Sequence, residues 1–577
     1  MANKATTPEG DSHLLEANAV PIRHGRLRRP HCNGTPTATP PTQRPAGWRI
    51  GLSVALIFLN AACGGGGNEP VADDTPAAGV DTGAPSAAPG APSAVPGAPN
   101  AVPASYNYCT RVPLAARQTG QRQVRDFGAV PDDDRDDTDA IQRALDAMKP
   151  GETLVFGPGR YLISRSIRVR QPGVTVTGPN AIIHATNPDN QALLIEADNT
   201  TVSSLTFTAV TQGRRSAAWH SRIVVAADIG GGNYRTVYNT TIRDNGILNA
   251  GPPGTPTANS SSAGGILLMK ANGFLVTGNT VARTLADGIH VTSGSKNGRI
   301  INNTVRETGD DMIAVVSYLD SGSPVTGSAS RELANWNTRV ANALVRNVLI
   351  SGNQLSGQYW GRGISVVGGQ SITIARNTLN NVPVAAGVLV AREAGYETFG
   401  VENVLVEANV IRDVQTLRPP YDVQNKFASA SRSGHGAVEI HAALFEDEAA
   451  DPSLRELLAV RNVVVRGNVI ERASVSGVRA GVSMTQALQA TDAAGRTVAR
   501  NIVPGLVRSV GVDNNQFNQV TGDAIRVLSS DLLSAGVYCS ANRRDGSNYQ
   551  SSACRAPAEP AVLGAPLTCS PEGALLQ

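Results

Sequence analysis

The stretch from Phe274 to Val315 reads FLVTGNTVARTLADGIHVTSGSKNGRIINNTVRETGDDMIAV and contains one pattern twice. Asn303 follows Asn279 by 24 residues (303 − 279), and Ile313 follows Ile289 by the same step (313 − 289). In each copy an apolar strand precedes the asparagine, and a second strand opens the next unit. Short strands at a fixed period of just over twenty residues predict a parallel β-solenoid, whose turns bury their inward side chains on one another.

Further copies of the unit extend this repeat along the chain. Strand alternation places one set of side chains inside, namely Ile289, Val291, Ile313, Val315, Ile364 and Val366. It places His290, Ala314 and Ser365 outside. We predict that the recurrent asparagines stack as an internal ladder at a bend; they are Asn239, Asn279, Asn303, Asn353, Asn377, Asn409, Asn468 and Asn515. A propeller, the rival architecture, needs four strands and a longer unit per repeat.

Composition excludes several classes of protein. Of the 577 residues, 41% are hydrophobic, so the chain can bury a core and is not disordered as a whole. A formal net charge of +3 gives no strong field, which argues against a nucleic-acid-binding protein. Apolar runs stay below the roughly 18 residues that span a bilayer, which excludes a polytopic membrane protein. Scarce aromatics (4%) and 59 glycines suit a repetitive β architecture.

Residues 1–63 are predicted to be an export leader. Arg49 precedes an apolar run, Ile50–Leu59, which ends shortly before Cys63. A basic flank, a short apolar run and small residues are typical of a secretory signal. Cys63 and the glycines after it resemble a bacterial lipoprotein processing site, with Cys63 as the lipidated residue; plain secretion is the alternative. We expect an outer-membrane or periplasmic lipoprotein, or a secreted protein, whose only membrane contact is the lipid.

Two segments follow the leader. Residues 64–105 are rich in Pro, Gly and Ala and predict a linker without fixed structure. Residues 106–577 are predicted to form one solenoid domain. Cysteines in an exported chain favour two disulfides, with three connectivities open, and a stapled C-terminal cap. The four cysteines concerned are Cys109, Cys539, Cys554 and Cys569.

The start of this domain predicts a cap. Val124–Val130 precedes an acidic turn, Pro131–Asp137, and apolar spacing predicts a helix over about 137–148. This block resembles the N-terminal cap of the pectate-lyase-like superfamily. The resemblance implies an all-β, right-handed parallel β-helix (solenoid) with a short N-terminal capping helix. We interpret the acidic turn as solvated charge at a helix N-terminus, with a Ca²⁺ site as the alternative, and expect no other cofactor or metal.

Carboxylates gather where the repeated strands open. Aligning the strands places Asp287, Asp311, Arg362 and Asp523 in one column, with Asp310 directly before Asp311. Neighbouring strands lie about 4.7–4.9 Å apart, so three carboxylates should meet and at least one pKa should rise. A protonated acid beside an ionised base is what glycosidic cleavage requires. The alternative is that these acids only accept backbone hydrogen bonds at turn corners.

Three motifs resemble the polygalacturonase family of glycoside hydrolases. They are Thr308–Val315 (its Gly-Asp-Asp motif), Asp287–Ile289 (the end of Asn-Thr-Asp) and Gly361–Val366 (Gly-His-Gly, with Arg362 in place of the histidine). The resemblance implies an inverting mechanism in which Asp310 is the general acid and Asp287 and Asp311 activate water. Where the family has Arg-Ile-Lys, this chain has Leu389–Ala391.

Residues beside the column are candidate substrate contacts. They are His290, Arg362, Tyr359, Trp360 and Arg392. The alternatives are an exposed ring without a role for His290, packing in the core or at the rim for Tyr359 and Trp360, and solvent exposure for Arg392. Aromatic rings such as Tyr359 and Trp360 can stack on sugars. Gly434-His435-Gly436 copies the family tripeptide but comes too late in the chain, and we interpret it as chance. Glu439 and His441 are further candidates to line the groove that would hold the substrate beside the acids.

These features predict an exported, polysaccharide-degrading glycoside hydrolase that acts as a monomer, with an anionic glycan as the expected substrate class. A uronan lyase or C5-epimerase is one alternative, using Lys270, Arg362 or Arg392 to neutralise a carboxylate. A non-catalytic, surface glycan-binding protein is another. Acids on adjacent strands approach the roughly 5 Å separation of retaining enzymes, whereas the resemblance favours inversion, typically at about 6.5–9.5 Å.

Overall fold

The computed structural model describes residues 120–187, 190–210, 218–230, 233–248, 264–319, 336–358, 361–416, 433–481, 486–491, 497–528, 537–554, 568–569 and 575–576. The leader with Cys63, the 64–105 linker, Cys109, Tyr359 and Trp360 lie outside these residues. Their assignments therefore stay predictions.

One sheet carries the strands that open each turn. Its parallel strands, in chain order, are β1 (Ile167–Val169), β2 (Leu193–Ile195), β3 (Ser221–Val225), β4 (Gly264–Met269), β5 (Ile289–Thr292), β6 (Ile313–Val316), β7 (Ile364–Val367), β8 (Val388–Arg392), β9 (Val438–Phe445), β10 (Val478–Ala480) and β11 (Ile525–Val527). Successive strands pair in register, so that Ile289, Ile313, Ile364, Val388 and Val438 are aligned neighbours. We call it the opening sheet.

A second, larger sheet forms the remaining walls of the coil. Most of its strands pair in parallel with the equivalent strand one turn later, for example Arg346–Ser351 with Gly369–Ala375. Its strands are Gly120–Gln123, Glu152–Val155, Gly159–Ile163, Thr175–Ala185, Thr201–Ala209, Val237–Tyr238, Thr241–Arg243, Gly246–Leu248, Ala271–Asn272, Leu275–Thr277, Thr280–Ala282, Lys296–Ile301, Thr304–Arg306, Arg346–Ser351, Gln354–Ser356, Gly369–Ala375, Thr378–Val382, Val401–Glu407, Val410–Val414, Val460–Arg466, Val469–Ala473, Val507–Asp513, Gln516–Asn518, Val537–Ser540, Arg543–Arg544 and Ser547–Asn548. The predicted all-β, parallel β-helix fold is confirmed.

The interior of the coil is packed by aliphatic side chains. All six residues predicted to point inward are fully buried in one continuous apolar cluster. His290, Ala314 and Ser365 leave this interior as predicted, yet they too are buried, at 6%, 1% and 0% exposure. Ala314 belongs to a separate apolar cluster with Leu389 and Ala391 on the outer face of the opening sheet. This apolar cluster covers the outer face of the opening sheet at these strands.

A ladder of asparagines runs through the described turns. Each Nδ2 donates to Oδ1 of the next asparagine at 2.9–3.1 Å, and each backbone N–H donates to the same oxygen. The nine members among the described residues are Asn245, Asn279, Asn303, Asn353, Asn377, Asn409, Asn468, Asn515 and Asn542. The predicted internal ladder is confirmed for all but one of its members.

Asn239 is the exception. Its Nδ2 donates to Asn199 at another corner of the coil, and Asn245 takes the place predicted for it in the ladder. The motif was misassigned because each asparagine follows a short strand of the same turn, Val237–Tyr238 or Thr241–Arg243, and the sequence alone does not show which of the two corners carries the ladder.

Helices are few. The predicted cap helix is observed as α1 (Thr138–Asp146), with Ile141, Ala144 and Leu145 buried against the first turn. The others are α2 (Trp336–Ala343), α3 (Glu446–Ala450) and α4 (Pro452–Leu457), with 3-10 turns at Val124–Phe127, Ala218–His220 and Ala394–Tyr396. Antiparallel pairs join Ala227–Gly230 to Asn233–Arg235, Gln486–Thr491 to Thr497–Pro504, and Thr568–Cys569 to Leu575–Leu576. None of the described helices is long and apolar enough to cross a membrane.

The acidic turn near the start of the domain is held by hydrogen bonds. In the acidic turn, Asp132 accepts a hydrogen bond from the Arg160 N–H at 2.9 Å, and Asp137 accepts from the Val130 N–H at 2.9 Å. The aspartates of this turn therefore stabilise its backbone through hydrogen bonds.

Near the C-terminus, Cys539 and Cys554 form a disulfide, which selects one of the predicted pairings.

Candidate active site

The register of the opening sheet brings the predicted acids together. Gly288 N donates to Asp311 O at 2.9 Å, and Met312 N donates to Arg362 O at 3.1 Å. Asp287, Asp311 and Arg362 therefore occupy equivalent positions just before β5, β6 and β7. The predicted column is confirmed over these three turns.

A threonine shapes the turn before each acid. Thr284 Oγ1 donates to Ala286 O at 2.6 Å, and one turn later Thr308 Oγ1 donates to Asp310 O at 2.7 Å. Both hydroxyls satisfy a carbonyl two residues ahead, inside a turn where the backbone leaves the sheet. Because the two turns have the same hydrogen bond, they present Asp287 and Asp311 in the same way.

The carboxylates of the three acids, which we call the acid triad, lie close to one another. One carboxylate oxygen from each of Asp287, Asp310 and Asp311 lies within 4.8 Å of the others. Asp311 is only 5% exposed, and its oxygens accept the Arg362 N–H at 2.6 Å and the Ser365 hydroxyl at 2.5 Å. A Cβ on Gly361 would overlap Oδ1 of both Asp310 and Asp311, so the glycine makes room for the pair.

Burial raises the pKa of Asp311 to about 8, and the negative charges of Asp310 and Asp287 add to the rise. The Arg362 guanidinium and the Ser365 hydroxyl oppose it. The triad therefore keeps a proton at neutral pH beside ionisable neighbours. Because the three groups interact, this proton is a property of the cluster.

We expect this proton to make stability depend on pH. An unfolded aspartate releases its proton near pH 4, whereas folded Asp311 keeps it to about pH 8. The native state thus binds more protons in this window, so the contribution of Asp311 to stability should be fully present below about pH 4 and be lost as pH rises to 8. Denaturant midpoints measured from pH 4 to 9 should decline more steeply in the native protein than in Asp311→Asn. Identical pH profiles would contradict the raised pKa.

Arg362 faces two acids. Its guanidinium forms an ion pair with Glu393 from the following turn and lies 3.8 Å from Asp311 Oδ1. Burial lowers the pKa of Arg362, but the charges of Glu393 and Asp311 outweigh that effect and raise it overall. Glu393 was not found by sequence reasoning, since it lies beyond the end of β8 and matches no motif. Its charge neutralises the one cation at the triad in the described residues.

Tyr396 adds an aromatic group at the rim. It ends the 3-10 turn that follows Glu393, and 48% of its surface is exposed. Burial of its hydroxyl, and then the charges of Glu393 and Asp310, raise its pKa, so these two acids lie within electrostatic range of Tyr396. Sequence reasoning missed this residue, although its exposed ring is suited to stacking on a sugar.

His290 lies where the sequence predicted it. Its Nδ1 is 2.7 Å from Asp287 Oδ2, and the ring is 6% exposed. Its Nε2 is buried and has no hydrogen-bond partner in the described residues. A buried nitrogen without a partner is costly, so this atom is suited to a substrate hydroxyl or water.

Arg392 does not reach the triad, and its predicted role as a substrate contact is corrected. The side chain is fully buried and donates to Thr398 O at 3.1 Å, Ala443 O at 2.7 Å and Glu448 of α3 at 2.6 Å. Because α3 caps the end of β9 with Glu448, the guanidinium turns toward that helix. Arg392 is therefore neither a substrate contact nor a solvent-exposed side chain, the two roles that the sequence left open.

We predict that Arg392→Met destabilises the fold by roughly 3 kcal/mol and leaves KM unchanged. Removing one partner of a buried ion pair leaves the charge of Glu448 uncompensated. Arg472→Met is a matched control, because the Arg472–Asp413 pair is half-exposed and its loss should change stability far less than the loss of the buried Arg392–Glu448 pair. Unfolding midpoints and KM of both variants check this. An increase in KM without destabilisation would restore the substrate role.

Lys270 also lies away from the triad. It follows the last residue of β4, whereas the acids precede the first residues of β5 and β6. The opposite strand ends of a sheet are separated by the strand length. Of the cations named for a lyase, only Arg362 therefore lies at the acids.

A second cluster of polar side chains lies further along the opening sheet. Glu439 in β9 is fully buried and accepts hydrogen bonds from Arg479 Nε and Nη2 at 2.8–3.0 Å. His441 Nδ1 lies 3.2 Å from the same carboxylate, and the His435 ring stacks on His441 at 5.9 Å. Gly434-His435-Gly436 thus packs beside the predicted groove residues Glu439 and His441, which its position in the sequence did not indicate.

Two family models match parts of the chain. Residues 121–323 match "Rhamnogalacturonase A/epimerase, pectate lyase-like", and residues 270–393 match "Alpha-1,3-glucanase catalytic domain D2". The second match contains the whole acid triad. No curated protein sequence matches the chain.

Several solved structures are similar. A mannuronan C-5 epimerase A-module from Azotobacter vinelandii is 15% identical, with coverage of 73% of this chain and 98% of that one (TM-score 0.44). The catalytic unit of an alpha-1,3-glucanase from Streptomyces thermodiastaticus is 15% identical, with 77% and 72% coverage (TM-score 0.43). A family 28 exopolygalacturonase from Yersinia enterocolitica is 13% identical, with 76% and 79% coverage (TM-score 0.37). With the parallel β-helix and the match over 121–323, the predicted resemblance to the pectate-lyase-like, right-handed parallel β-helix superfamily is confirmed.

Proposed function

We propose that the chain is a polysaccharide-acting glycoside hydrolase. Both matching family models are named after carbohydrate-active enzymes, which supports the broader class. The acid triad supports the reaction, because one of its carboxyls holds a proton to about pH 8 while its neighbours lie within 4.8 Å. Hydrolysis needs a proton donor and a proton acceptor at one bond, and the triad contains both.

Each acid has a proposed part in the reaction. Asp310, which is less buried than Asp311, takes up the proton that the triad retains and gives it to the glycosidic oxygen as the bond from that oxygen to the anomeric carbon breaks. Water attacks the anomeric carbon and gives its proton to Asp287, held by His290, with Asp311 as second neighbour. The next turnover begins when the proton returns to Asp310 within the cluster. Bonds and protons balance, with one water consumed per cleavage.

The position of the cations favours hydrolysis over the lyase and epimerase alternatives. Those reactions need a substrate carboxylate to be neutralised beside a base. Arg392 is committed to Glu448, Lys270 lies at the far strand ends, and Arg362 is already paired with Glu393 and Asp311. A non-catalytic protein, the third alternative, gains no stability from burying three acids together.

The stereochemical outcome is a separate question. Carboxylate oxygens within 4.8 Å lie closer than the roughly 6.5–9.5 Å of typical inverting enzymes, whereas the motif resemblance favours inversion. We propose inversion, with water held between Asp287 and Asp311. The anomer formed first, observed by NMR during cleavage, distinguishes the two.

The test is digestion of a glycan panel with product analysis. The panel contains α-1,3-glucan, polygalacturonan and mannuronan. New reducing ends without ultraviolet absorbance support hydrolysis, and an unsaturated, absorbing product shows a lyase. A changed uronate composition without cleavage shows an epimerase, and binding without any chemical change shows a non-catalytic protein.

The setting of this activity is also a proposal. The leader sequence supports export, and Cys63 supports a lipid anchor in the cell envelope. Metabolic labelling with a radioactive fatty acid, compared between the native chain and Cys63→Ser, tests the anchor. We keep the monomer as a prediction, which sedimentation of the chain without its leader would check.

A further inference from the structure

The cluster around β9 has the construction of a binding site. Glu439 is fully buried, and Arg479 holds it through two nitrogens. Gly436 N also donates to Oε2 of Glu439 at 3.0 Å, and Arg479 Nη1 donates to Gly434 O at 2.8 Å. Glu439 and Arg479 therefore fix the loop that carries His435, at a position where their charges cancel.

The two histidines are oriented by their Nδ1 atoms. Nδ1 of His441 lies 3.2 Å from Glu439 Oε1, and Nδ1 of His435 lies 2.9 Å from the Ser433 hydroxyl. In the part of the chain that the structure describes, neither Nε2 has a protein partner. His435 is only partly buried and His441 keeps 7% of its surface exposed. Two stacked imidazoles, with their planes inclined by 29°, therefore have one nitrogen each available for a ligand.

The chemistry of these nitrogens suits hydroxyl groups. Burial of the ring nitrogens lowers the pKa of His435 to about 3, and the positive charges of His441, Arg479 and Arg362 add to the fall, whereas the charge of Glu439 opposes it. The ring is therefore neutral at ordinary pH. A neutral imidazole nitrogen donates or accepts one hydrogen bond, as a sugar hydroxyl does. The atoms are also spaced closely enough for a metal ion, but the Glu439 oxygens already accept from Arg479, Gly436 and His441.

The cluster lies on the same sheet as the acid triad. Arg362 precedes β7, and β9 is two strands further on, which is about 10 Å at the usual strand spacing. The effect of Arg362 on the pKa of His435 places the two within electrostatic range. A single sugar at the triad does not reach that far, but a glycan chain along the sheet does.

We propose that His435 and His441 form a second sugar-binding subsite, which holds an uncharged sugar residue of the glycan through its hydroxyls. This inference rests on the proposed function, because the glycan is the one cleaved at the triad. Glu439 and Arg479 are its positioning residues. The subsite makes affinity depend on chain length and favours a neutral glycan over the anionic one expected from the sequence.

The test compares two substitutions of His441 in an Asp310→Asn background, which prevents turnover. Asparagine places its amide near Nδ1 and can keep the bond to Glu439, whereas glutamine places its amide near Nε2 and can keep the ligand contact. Calorimetry uses α-1,3-linked glucose oligosaccharides and oligogalacturonides of two to six units. We expect H441N to weaken binding of the longer glucose oligosaccharides about tenfold, H441Q to weaken it much less, and disaccharides to be unaffected.

Each outcome is decisive. Equal binding by H441N and the parent at every length overturns the subsite, as does tighter binding of oligogalacturonides or loss of binding on adding EDTA. If the native chain cleaves glycans and H441N has no effect, the hydrolase stands and the subsite fails. If H441N weakens binding but nothing is cleaved, the subsite stands and the hydrolase fails. Absence of both binding and cleavage rejects both, and H435N serves as second variant if H441N does not fold.

Discussion

Asp310→Asn should reduce kcat about a thousandfold and leave KM within a factor of three. The substitution keeps the shape of the side chain but removes the proton that the glycosidic oxygen needs. General acid catalysis contributes roughly 10²–10⁴ in rate, so the loss should fall in this range. Binding is kept because the amide makes similar contacts with the substrate. Initial rates of reducing-end release from the best glycan of the panel measure both constants.

A matched control lies in the same column of the coil. Asp523 precedes β11, in line with Asp287 and Asp311 but five strands beyond Asp311 along the opening sheet, and therefore far from the triad. Asp523→Asn should therefore keep full activity. Cleavage needs both the proton donor, Asp310, and the proton acceptor, Asp287. Asp287→Asn should therefore lose as much activity as Asp310→Asn. A triad variant that keeps more than a tenth of native activity would reject the mechanism, provided that its circular dichroism spectrum is native.

Asn353→Ala should destabilise the solenoid by about 4 kcal/mol or more. The Asn353 Oδ1 accepts from both N and Nδ2 of Asn303, and its Nδ2 donates to Ile300 O and to Asn377. Alanine leaves these buried groups without partners, at about 1–3 kcal/mol for each, and also leaves a cavity. Denaturant unfolding followed by circular dichroism measures the loss.

The neighbouring Gln354 gives the control for this prediction. It begins the strand that follows Asn353, its side chain is exposed, and its backbone N–H donates to Asn303 O at 2.9 Å. Gln354→Ala should change stability by less than about 0.5 kcal/mol. Equal destabilisation by the two substitutions would show that the ladder bonds add nothing beyond strand propensity.

The sequence predicted the parts of the site that repeat. Asp287 and Asp311 were found because the strand after each acid has the same length, so equal spacing in sequence becomes alignment across turns. Gly361 and Arg362 were found in the same way, although an insert separates them from Asp311. The coil, its inward residues and the cap helix follow from the same periodicity.

What the sequence did not predict depends on contacts between turns. Glu393 pairs with Arg362 across 31 residues, and Arg392, one residue earlier, turns to α3 instead. Adjacent side chains at a strand end can point to different layers, and only the packing of α3 decides between them. His435 was assigned to chance because the inserts shift its place in the sequence, whereas the register puts it beside Glu439.

The asparagine ladder gives the coil a direction. Every side-chain amide donates toward the next turn, so the amide dipoles align like those of a helix, and its two ends are chemically different. Among the described residues the series ends at Asn542, whose backbone carbonyl accepts a hydrogen bond from the Tyr549 N–H at 2.8 Å, beside the Cys539–Cys554 disulfide. Whole turns can therefore be deleted or duplicated inside the coil while the amide line stays continuous, but an exposed last turn needs a cap of its own.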